Sequence, residues 1–390
     1  MWTLENMQFL TILLIAIILI YAVLILALYI GWQKTKEFHL QGLPAITKFS
    51  IIIPFRNEAE NLPELLYSLS NLDYPKSLFE IIMVNDESED KSVALCLQFK
   101  RSNPTLNLTV LNTHRKTNSP KKDALTTAIN SARFGYIITT DADCAVPTSW
   151  LQAFNEKIIE TNADLIAGPV SFFAAYSSIE KFLNYLAAFQ ELDFMSLQAV
   201  GIGGFGLNSP FICNAANMCY KKESFQKVDG FKGNLNISSG DDVFLLQKFT
   251  ELNYPVTFLK TEKAIVYTKP QASLKDLFSQ RIRWAAKTSA YKSMFAKLIG
   301  LSVLMMNLSL VLLFALTPFD LVPYQILLFG FFTKFLVDLN LLYVSADFFS
   351  KKILLSHYLW SSIMYPFFTT IVGFLSLFKG FNWKGRSFKK

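Results

Sequence analysis

The chain has 390 residues, of which 52% are apolar and only 17% are charged, and its net charge is +7. This composition excludes an intrinsically disordered chain, because disordered segments are poor in apolar residues and rich in charge. The last twelve residues contain five Lys or Arg and no acid. The remainder is nearly balanced in charge, which excludes a nucleic-acid-binding domain with a basic face.

The first predicted element is a membrane-spanning helix. From Phe9 to Gln33 the chain has no charged side chain, and such a run crosses a bilayer at about 1.5 Å per residue. Three more apolar runs follow, at residues 298–319, 321–344 and 353–378. Lys and Arg near both ends of residues 34–297 place this middle region in the cytosol by the positive-inside rule. We therefore expect a multi-pass protein of the cell (inner) membrane.

Two features of the C-terminal runs depart from simple spans. Lys334 and Asp338 are four residues apart, so they share a helix face and can pair. A charge pair inside the membrane is either a functional site or a packing pair between helices.

A full crossing by residues 353–378 would place the basic tail outside, against the positive-inside rule. We expect this run, which contains Pro366, to form a re-entrant hairpin or to lie partly in the interface. The tail then returns to the cytosol and binds anionic lipid headgroups.

Short apolar runs alternate with helical ones in the middle of the chain. Strands are predicted at residues 50–54, 79–84, 106–111 and 136–140, and helices at residues 58–70, behind an Asn57 cap, and 120–132. This alternation predicts parallel βαβ units, hence an α/β domain with a mostly parallel sheet. Ligands of such sheets bind beyond the carboxyl ends of the strands.

Acidic side chains follow two of these predicted strands. Asp86 comes after the second strand, and Asp141 and Asp143 come after the fourth. Two carboxylates two positions apart in an extended segment project to the same side. Such hard oxygen ligands suit Mg²⁺ or Mn²⁺, which completes its shell with water and phosphate oxygens. Asp-x-Asp also occurs in ordinary turns, so the position at a strand end is what makes a metal site the favoured interpretation.

The glycine-rich segment at residues 201–206 matches the dinucleotide-binding fingerprint by its letters. That motif needs a strand before it and a helix after it. Here Asn208, Ser209 and Pro210 follow instead. We interpret the segment as a flexible loop that can line a substrate channel.

Six motifs in residues 50–284 together resemble those of the family 2 glycosyltransferases of the GT-A fold. They are IIIPFRNEAENL (51–62), IIMVNDESED (81–90), TTDADC (139–144), NAANMCYKKESFQKVDGF (214–231), SGDDVFLLQK (239–248) and QRIRW (280–284). The last motif is similar to the Gln-x-x-Arg-Trp pattern of membrane-embedded polysaccharide synthases and of enzymes that glycosylate lipids. With the apolar runs and the basic tail, the resemblance predicts four parts: an N-terminal transmembrane helix (1–33), a Rossmann-like GT-A domain (34–297), transmembrane or interfacial helices (298–378) and a basic tail (379–390).

The resemblance also implies roles for individual residues. The nucleotide-sugar donor would be bound by Pro54, Arg56, Glu58, Asp86, Lys121, Asp141 and Asp143. Asp143, together with Asp141, would hold the metal. Asp242 occupies the position of the catalytic base, and the choice between it and Asp241 stays open. The diphosphate and the acceptor would be covered by Gln280, Arg283 and Trp284.

Several of these residues have simpler interpretations. Asp242 could cap a helix, which is the commonest use of Asp before a helical segment. Arg283 and Trp284 could anchor the chain at the membrane interface. Asn85 and Asp241 also depart mildly from the family pattern, which more often has Asp and Glu there.

Together these observations predict a membrane-bound inverting glycosyltransferase. It would transfer a sugar from a UDP-sugar to a lipid-linked or membrane-associated acceptor by a single displacement with the help of Mg²⁺ or Mn²⁺. A processive polysaccharide synthase is the alternative within the family. A transporter or scaffold with a nucleotide-binding domain is the alternative of another class, and the Lys334–Asp338 pair is its support.

Overall fold

A computed structural model describes residues 4–173, 181–237, 239–378, 380–383 and 386–388. The α-helices are α1 (Leu4–Lys34), α2 (Leu62–Ser70), α3 (Ser92–Ser102), α4 (Pro120–Ser131), α5 (Trp150–Thr161), α6 (Lys181–Gly206), α7 (Lys222–Lys227), α8 (Asp241–Glu251), α9 (Leu274–Ala286), α10 (Met294–Leu316), α11 (Tyr324–Phe348) and α12 (Tyr358–Phe378). The strands are β1 (Phe49–Phe55), β2 (Phe79–Asn85), β3 (Leu108–Asn112), β4 (Tyr136–Thr139), β5 (Leu165–Ala167), β6 (Val170–Phe172), β7 (Met218–Lys221), β8 (Val256–Phe258), β9 (Val266–Thr268), β10 (Phe381–Trp383) and β11 (Arg386–Phe388).

The central sheet has the strand order β3-β2-β1-β4-β7-β5-β8. Strand β1 pairs in parallel with both β2 and β4, whereas β7 runs antiparallel to β4 and β5. The sheet is therefore mostly parallel, and the predicted α/β GT-A-like fold is confirmed. The carboxyl ends of β1, β2 and β4 meet at one edge, which brings positions 54–56, 86 and 141–143 together.

Both faces of the sheet are buried, as a parallel sheet requires. Ile52 of β1 joins an apolar cluster that includes Leu125 of α4, while Ile51 and Ile53 join a second cluster with Leu65 of α2. Successive residues of a strand point to opposite faces, so one run of isoleucines contributes to both clusters. The strand therefore reads as a continuous apolar run.

The predicted helix at residues 58–70 begins four residues later than expected, at Leu62. Asn57 does not cap a helix, because its backbone has a φ of +52° and turns the chain. This turn carries Glu58 to the edge of the sheet. The helix predicted at residues 120–132 is observed as α4, which starts at Pro120.

The glycine-rich segment is not a loop. Helix α6 continues through it to Gly206 and lies against α1. A Cβ atom on Gly203 would lie 2.4 Å from the carbonyl oxygen of Leu28, and one on Gly206 would lie 1.8 Å from that of Gly31. The glycines therefore allow two helices to approach closely, as small residues do in membrane proteins.

Among the residues that the structure describes, four helices are long and apolar enough to cross a membrane, at Gln8–Lys34, Met294–Phe319, Tyr324–Phe348 and Lys352–Phe378. They lie at the two ends of the chain and indicate that the protein associates with a membrane. Helix α12 runs through Pro366 without a break, so the predicted re-entrant hairpin is wrong, and the alternative, that this run lies partly in the interface, stays a prediction. A helix packed against neighbours such as α9 and α10 tolerates the loss of one backbone hydrogen bond at proline.

The basic tail returns to the edge of the sheet. Strands β10 and β11 form an antiparallel hairpin, and Arg386 Nη1 lies 2.6 Å from Asp86 Oδ2. This contact places Arg386 beside the sheet, and the return of the tail to the cytosol stays a prediction. The prediction that the tail binds lipid headgroups is wrong for Arg386, because the buried carboxylate of Asp86 offers a strong charge-assisted hydrogen bond.

Candidate active site

The carboxyl edge of the sheet opens into a cavity of about 550 Å³. Each site residue named from the sequence lines it: Pro54, Arg56, Glu58, Asp86, Lys121, Asp141, Asp143, Asp241, Asp242, Gln280, Arg283 and Trp284. Residues from β1, β2, α4, β4, α8 and α9 thus meet in one place. The fold explains this convergence, because open α/β sheets bind ligands at this edge.

Helix α8 presents two adjacent carboxylates to the cavity. It begins at Asp241 behind Gly240, whose φ of +79° is a conformation that favours glycine. Asp242 Oδ1 accepts a hydrogen bond from Val243 N at 2.7 Å, and Oδ2 accepts one from Ala215 N at 3.3 Å. Both carboxylates lie in the first helical turn, where the helix dipole favours negative charge.

Lys121 joins the strand-end pair to helix α8. Its Nζ lies 2.8 Å from Asp141 Oδ1 and 3.3 Å from Asp241 Oδ2. Burial alone would lower the pKa of Lys121, but these two carboxylates outweigh it and hold the pKa above its ordinary value. Lys121 is therefore a fixed positive charge in the cavity. It forms an ion pair with Asp241 and acts on Asp242 from a greater distance.

A second lysine, Lys287, faces Asp242, with 3.6 Å between its Nζ and Asp242 Oδ1. Burial alone would raise the pKa of Asp242. The charges of Lys287 and Lys121, with the two backbone amides, outweigh burial and hold this pKa below its ordinary value. Asp242 is therefore ionised at neutral pH, as a proton acceptor must be.

Replacing Lys287 is expected to change the pH dependence of turnover. In Lys287→Met, Asp242 stays buried but loses a positive charge that lowers its pKa, so this pKa rises. The acid limb of the pH–rate profile, where Asp242 becomes protonated, then moves to higher pH. We expect this limb in kcat/KM to move up by about one pH unit or more. The exposed Lys292, which pairs with Glu251, is the matched control, and Lys292→Met should leave the profile unchanged. An unshifted limb in Lys287→Met would show that Asp242 does not control this titration.

Arg283 is surrounded by carboxylates. Burial lowers the pKa of Arg283, and the nearby Asp141, Asp241 and Asp242 partly offset this effect. Because a guanidinium titrates far above neutral pH, Arg283 remains charged. It lies on α9, and seven residues separate the end of this helix from α10, which is long and apolar enough to cross a membrane.

The opposite end of the cavity is formed around Asp86. Arg56 Nη1 donates to the backbone oxygens of Asp86 and Glu87 at 3.0 and 2.6 Å. Arg115 Nε lies 3.9 Å from Asp86 Oδ1, and Arg386 donates to Oδ2. This arginine-rich rim gives hydrogen-bond donors near the carboxylate that the resemblance assigns to the nucleoside.

Helix α9 arranges the Gln-Arg-Ile-Arg-Trp motif on the cavity wall. The guanidinium of Arg281 lies 4.2 Å from the centre of the Trp284 ring, and Gln280 Oε1 accepts a hydrogen bond from Arg281. Arg281 therefore covers one face of the indole. A sugar ring stacked on Trp284 would have to use the other face.

The carboxylates at the end of β4 fit half of a metal site. Asp141 and Asp143 supply the hard oxygen ligands that Mg²⁺ and Mn²⁺ prefer. Within the described residues, no group of three or more His, Cys, Asp or Glu side chains could hold an ion without other ligands. An ion bound here would therefore take its remaining ligands from water and a diphosphate, as Mg²⁺ commonly does.

Several basic residues near the site were not predicted, among them Lys287, Arg281, Arg115 and Arg386. Lys287 lies four positions after Arg283, a spacing that could have indicated a shared helix face. Arg281 lies inside a recognised motif. Arg115 and Arg386 carry no local signal, because they reach Asp86 from a loop and from the C-terminal hairpin.

Two family profiles match the chain. The profile "Glycosyl transferase family group 2" matches residues 136–378, and "Glycosyl transferase family 2" matches residues 50–199. The first match alone covers more than half of the chain.

Individual relatives match over shorter regions. Glycosyltransferase AglE of Haloferax volcanii is 25% identical over 210 residues, which are 54% of this chain and 63% of AglE. Poly(ribitol-phosphate) beta-N-acetylglucosaminyltransferase TarS of Staphylococcus aureus is 29% identical over 119 residues, 30% of this chain and 20% of TarS. The chain thus spans less than two thirds of either relative.

A solved structure shows the same fold. Mannosyltransferase PcManGT from Pyrobaculum calidifontis, in complex with GDP-Man and Mn²⁺, is 16% identical with a TM-score of 0.55, covering 95% of this chain and 99% of that chain. At this identity the likeness concerns the fold alone. The match to the family profile decides the assignment: the chain belongs to the family 2 glycosyltransferases.

Proposed function

We propose that the protein is a membrane-bound inverting glycosyltransferase that transfers a sugar from a UDP-sugar to a lipid-linked or membrane-associated acceptor. One observation carries the proposal. The cavity that holds Asp141, Asp143 and Asp242 continues without a break between helices that are apolar enough to cross a membrane. An acceptor hydroxyl entering from the bilayer would reach Asp242 inside the protein.

The donor would lie along the edge of the sheet. Asp86 and Arg56 would hold the nucleoside, and Lys121 and Arg283 would face the diphosphate. Both cations are half-buried among carboxylates, so they add positive charge where the leaving group gains negative charge. Arg283 suits phosphate oxygens in particular, because a guanidinium can donate two parallel hydrogen bonds.

Asp242 would act as the base in a single displacement. It would accept the proton of the acceptor hydroxyl while that oxygen bonds to the anomeric carbon. At the same time the bond from the anomeric carbon to the diphosphate oxygen breaks, and the nucleoside diphosphate leaves. Attack opposite the leaving group inverts the anomeric centre. Asp241 suits this role less well, because it is more buried and is paired with Lys121.

A divalent cation would assist this step. When bound, Mg²⁺ or Mn²⁺ supplies positive charge to the leaving diphosphate. Asp143 and Asp141 are the residues that would hold it. Lys121, Lys287 and Arg283 would keep the carboxylates ionised and aligned.

The proposed location is the cell inner membrane, with the sheet in the cytosol. The distribution of Lys and Arg around the apolar runs supports this orientation. A UDP-sugar is the proposed donor because the motifs resemble those of membrane-embedded synthases. The name of TarS, a beta-N-acetylglucosaminyltransferase, is in keeping with a β-linked product.

Hydrolysis of nucleotide sugars tests the proposal without a known acceptor. The full chain in phosphatidylcholine nanodiscs is incubated with a panel of UDP- and GDP-sugars and Mg²⁺ or Mn²⁺. We expect slow release of UDP from at least one UDP-sugar, and loss of release when EDTA removes the ion. Release from GDP-sugars alone would contradict the proposed donor. The absence of release from every donor would contradict the proposed enzyme.

A further inference from the structure

The cavity extends well past the proposed catalytic carboxylates. Between α1, α11 and α12 its wall includes the polar side chains of Tyr21, Lys334, Asp338, Ser361 and Tyr365, and we call this part the membrane end. Its residues belong to helices that are apolar enough to cross a membrane. The proposed transfer step uses none of them. Burying polar groups in such helices costs free energy, so polar side chains at this place indicate a binding role for the membrane end.

An ion pair with a tyrosine partner is set into this wall. Lys334 Nζ pairs with Asp338, and Tyr21 Oη donates a hydrogen bond to Asp338 Oδ1 at 2.5 Å. Lys334 is only 5% exposed, and its Nζ lies 5.1 Å from the centre of the Tyr365 ring. The group thus links α1, α11 and α12 around one cavity.

A second buried ion pair connects the membrane end to the Gln-Arg-Ile-Arg-Trp motif. Arg281 Nε lies 2.6 Å from Asp193 Oδ2, and both side chains are about as buried as Lys334. Tyr365 lines the same cavity as Asp193, Arg281 and Asp338. Polar groups therefore continue from the catalytic edge into the part of the cavity between the apolar helices.

The charges of these pairs constrain what can bind. Each cation already has a carboxylate partner, so the two pairs are neutral in sum. A phosphate at this place would bring negative charge beside Asp193 and Asp338, in a setting that screens charge poorly. The membrane end therefore disfavours an anionic headgroup.

Unused hydrogen-bonding atoms favour a hydroxyl-bearing ligand. Arg281 Nη2 and Ser361 Oγ are buried and have no hydrogen-bond partner within the described part of the chain. Buried polar atoms are normally satisfied, so these two suit a ligand that both donates and accepts. Phe189 lies between Tyr365 and Phe368, with ring centres 6.3 and 5.2 Å away, and this cluster offers apolar ring surface beside them.

We propose that the membrane end binds a neutral, hydroxyl-rich sugar ring of the acceptor and excludes lipid phosphates. Asp338 would accept hydrogen bonds from the ring hydroxyls, and Arg281 Nη2 and Ser361 Oγ would donate to them. The ring can be the head of a glycolipid or the end of a glycan chain, since both present the same chemistry. This inference rests on the proposed function and names its acceptor class.

Photolabelling tests the inference on the full chain in phosphatidylcholine nanodiscs. Two probes carry the same diazirine-bearing alkyl chain, one with a maltose head and one with a phosphate head. We expect the maltose probe to label peptides of α11 and α12 about tenfold more than the phosphate probe. Free maltoheptaose, added as a competitor, distinguishes a glycan chain from a glycolipid as the source of the ring. It displaces the maltose probe only if the end of a glycan chain binds without a lipid. If it does not displace the probe, but unlabelled alkyl maltoside does, the source is a glycolipid. Equal labelling by both heads, or stronger labelling by phosphate, would overturn the inference.

Variants separate a binding site from a packing pair. Lys334→Met/Asp338→Leu keeps the net charge and should lower maltose labelling about tenfold. Asp338→Asn leaves Lys334 unbalanced and should turn the preference toward the phosphate probe, which a packing role does not predict. The matched control is Lys352→Met/Asp347→Leu, an exposed pair away from the cavity, and it should label like the unaltered chain. Unchanged head preference in Asp338→Asn would also overturn the inference.

The hydrolysis of UDP-sugars in the same nanodiscs tests the proposed enzyme separately from the proposed sugar site. Hydrolysis with equal labelling by both heads would refute the acceptor site and keep the enzyme. Maltose-selective labelling without hydrolysis of any donor would refute the enzyme and keep the sugar site.

Discussion

Asp242→Asn is expected to lower the rate of sugar transfer by about 10²–10⁴-fold, because it removes the carboxylate that would accept the proton of the acceptor. Asparagine has the same shape and keeps an oxygen for the amide of Val243, which lies 2.7 Å from Asp242 Oδ1. Donor binding should therefore stay close to that of the unaltered chain. The measurements are the turnover number and the affinity for the UDP-sugar, each in the same nanodiscs.

Two further aspartates make this prediction specific. Asp229, exposed and paired with Lys232, is the control, and Asp229→Asn should leave turnover unchanged. Asp241→Asn should weaken donor binding more than the chemical step, because it removes a partner of Lys121. A transporter or scaffold would keep its function in Asp242→Asn. Loss of turnover in Asp241→Asn with normal turnover in Asp242→Asn would assign the base to Asp241 instead.

Arg283→Lys is expected to reduce kcat by about 10²-fold or more, because lysine keeps the charge but cannot make two parallel hydrogen bonds to phosphate oxygens. The burial of Arg283 among Asp141, Asp241 and Asp242 limits how far water can replace its contacts. The loss should appear in kcat more than in KM, because the charge on the diphosphate develops in the transition state.

The exposed Arg133 provides the comparison, because it pairs with Glu80 and neither residue lines the cavity. Arg133→Lys should leave kcat unchanged. An Arg283→Lys enzyme with normal kcat and a raised KM would indicate that Arg283 only binds the donor. An enzyme with neither change would leave Arg283 as an anchor at the membrane interface, the simpler interpretation of its position.

The sheet could be predicted because its signals are local. The apolar run of β1 and the acids that follow β2 and β4 are visible within a few residues, and parallel strands bring their ends together wherever the intervening helices pack. The location of Asp86, Asp141 and Asp143 at one edge follows from this rule alone. The more distant Asp242, Arg283 and Trp284 could be placed only through the resemblance, since no local pattern brings α8 and α9 to that edge.

The failures concern long-range packing. The glycines of α6 looked like a loop because the sequence does not show the close approach of α1, which requires glycine at Gly203 and Gly206. Pro366 looked like a break because the neighbours of α12 were unknown. Arg386 reaches Asp86 across 300 residues of sequence, and no local charge pattern indicates such a contact. The pairing of Lys334 with Asp338 was predictable from their spacing, whereas the partner Tyr21 was not.

The stereochemistry of donor hydrolysis tests the displacement at Asp242 most directly. An α-linked UDP-sugar is hydrolysed by the full chain in nanodiscs, and proton NMR follows the anomeric signal of the released sugar before it equilibrates. A water molecule activated by Asp242 attacks opposite the diphosphate, so the β-anomer should appear first. Initial release of the α-anomer would contradict a single displacement in this cavity.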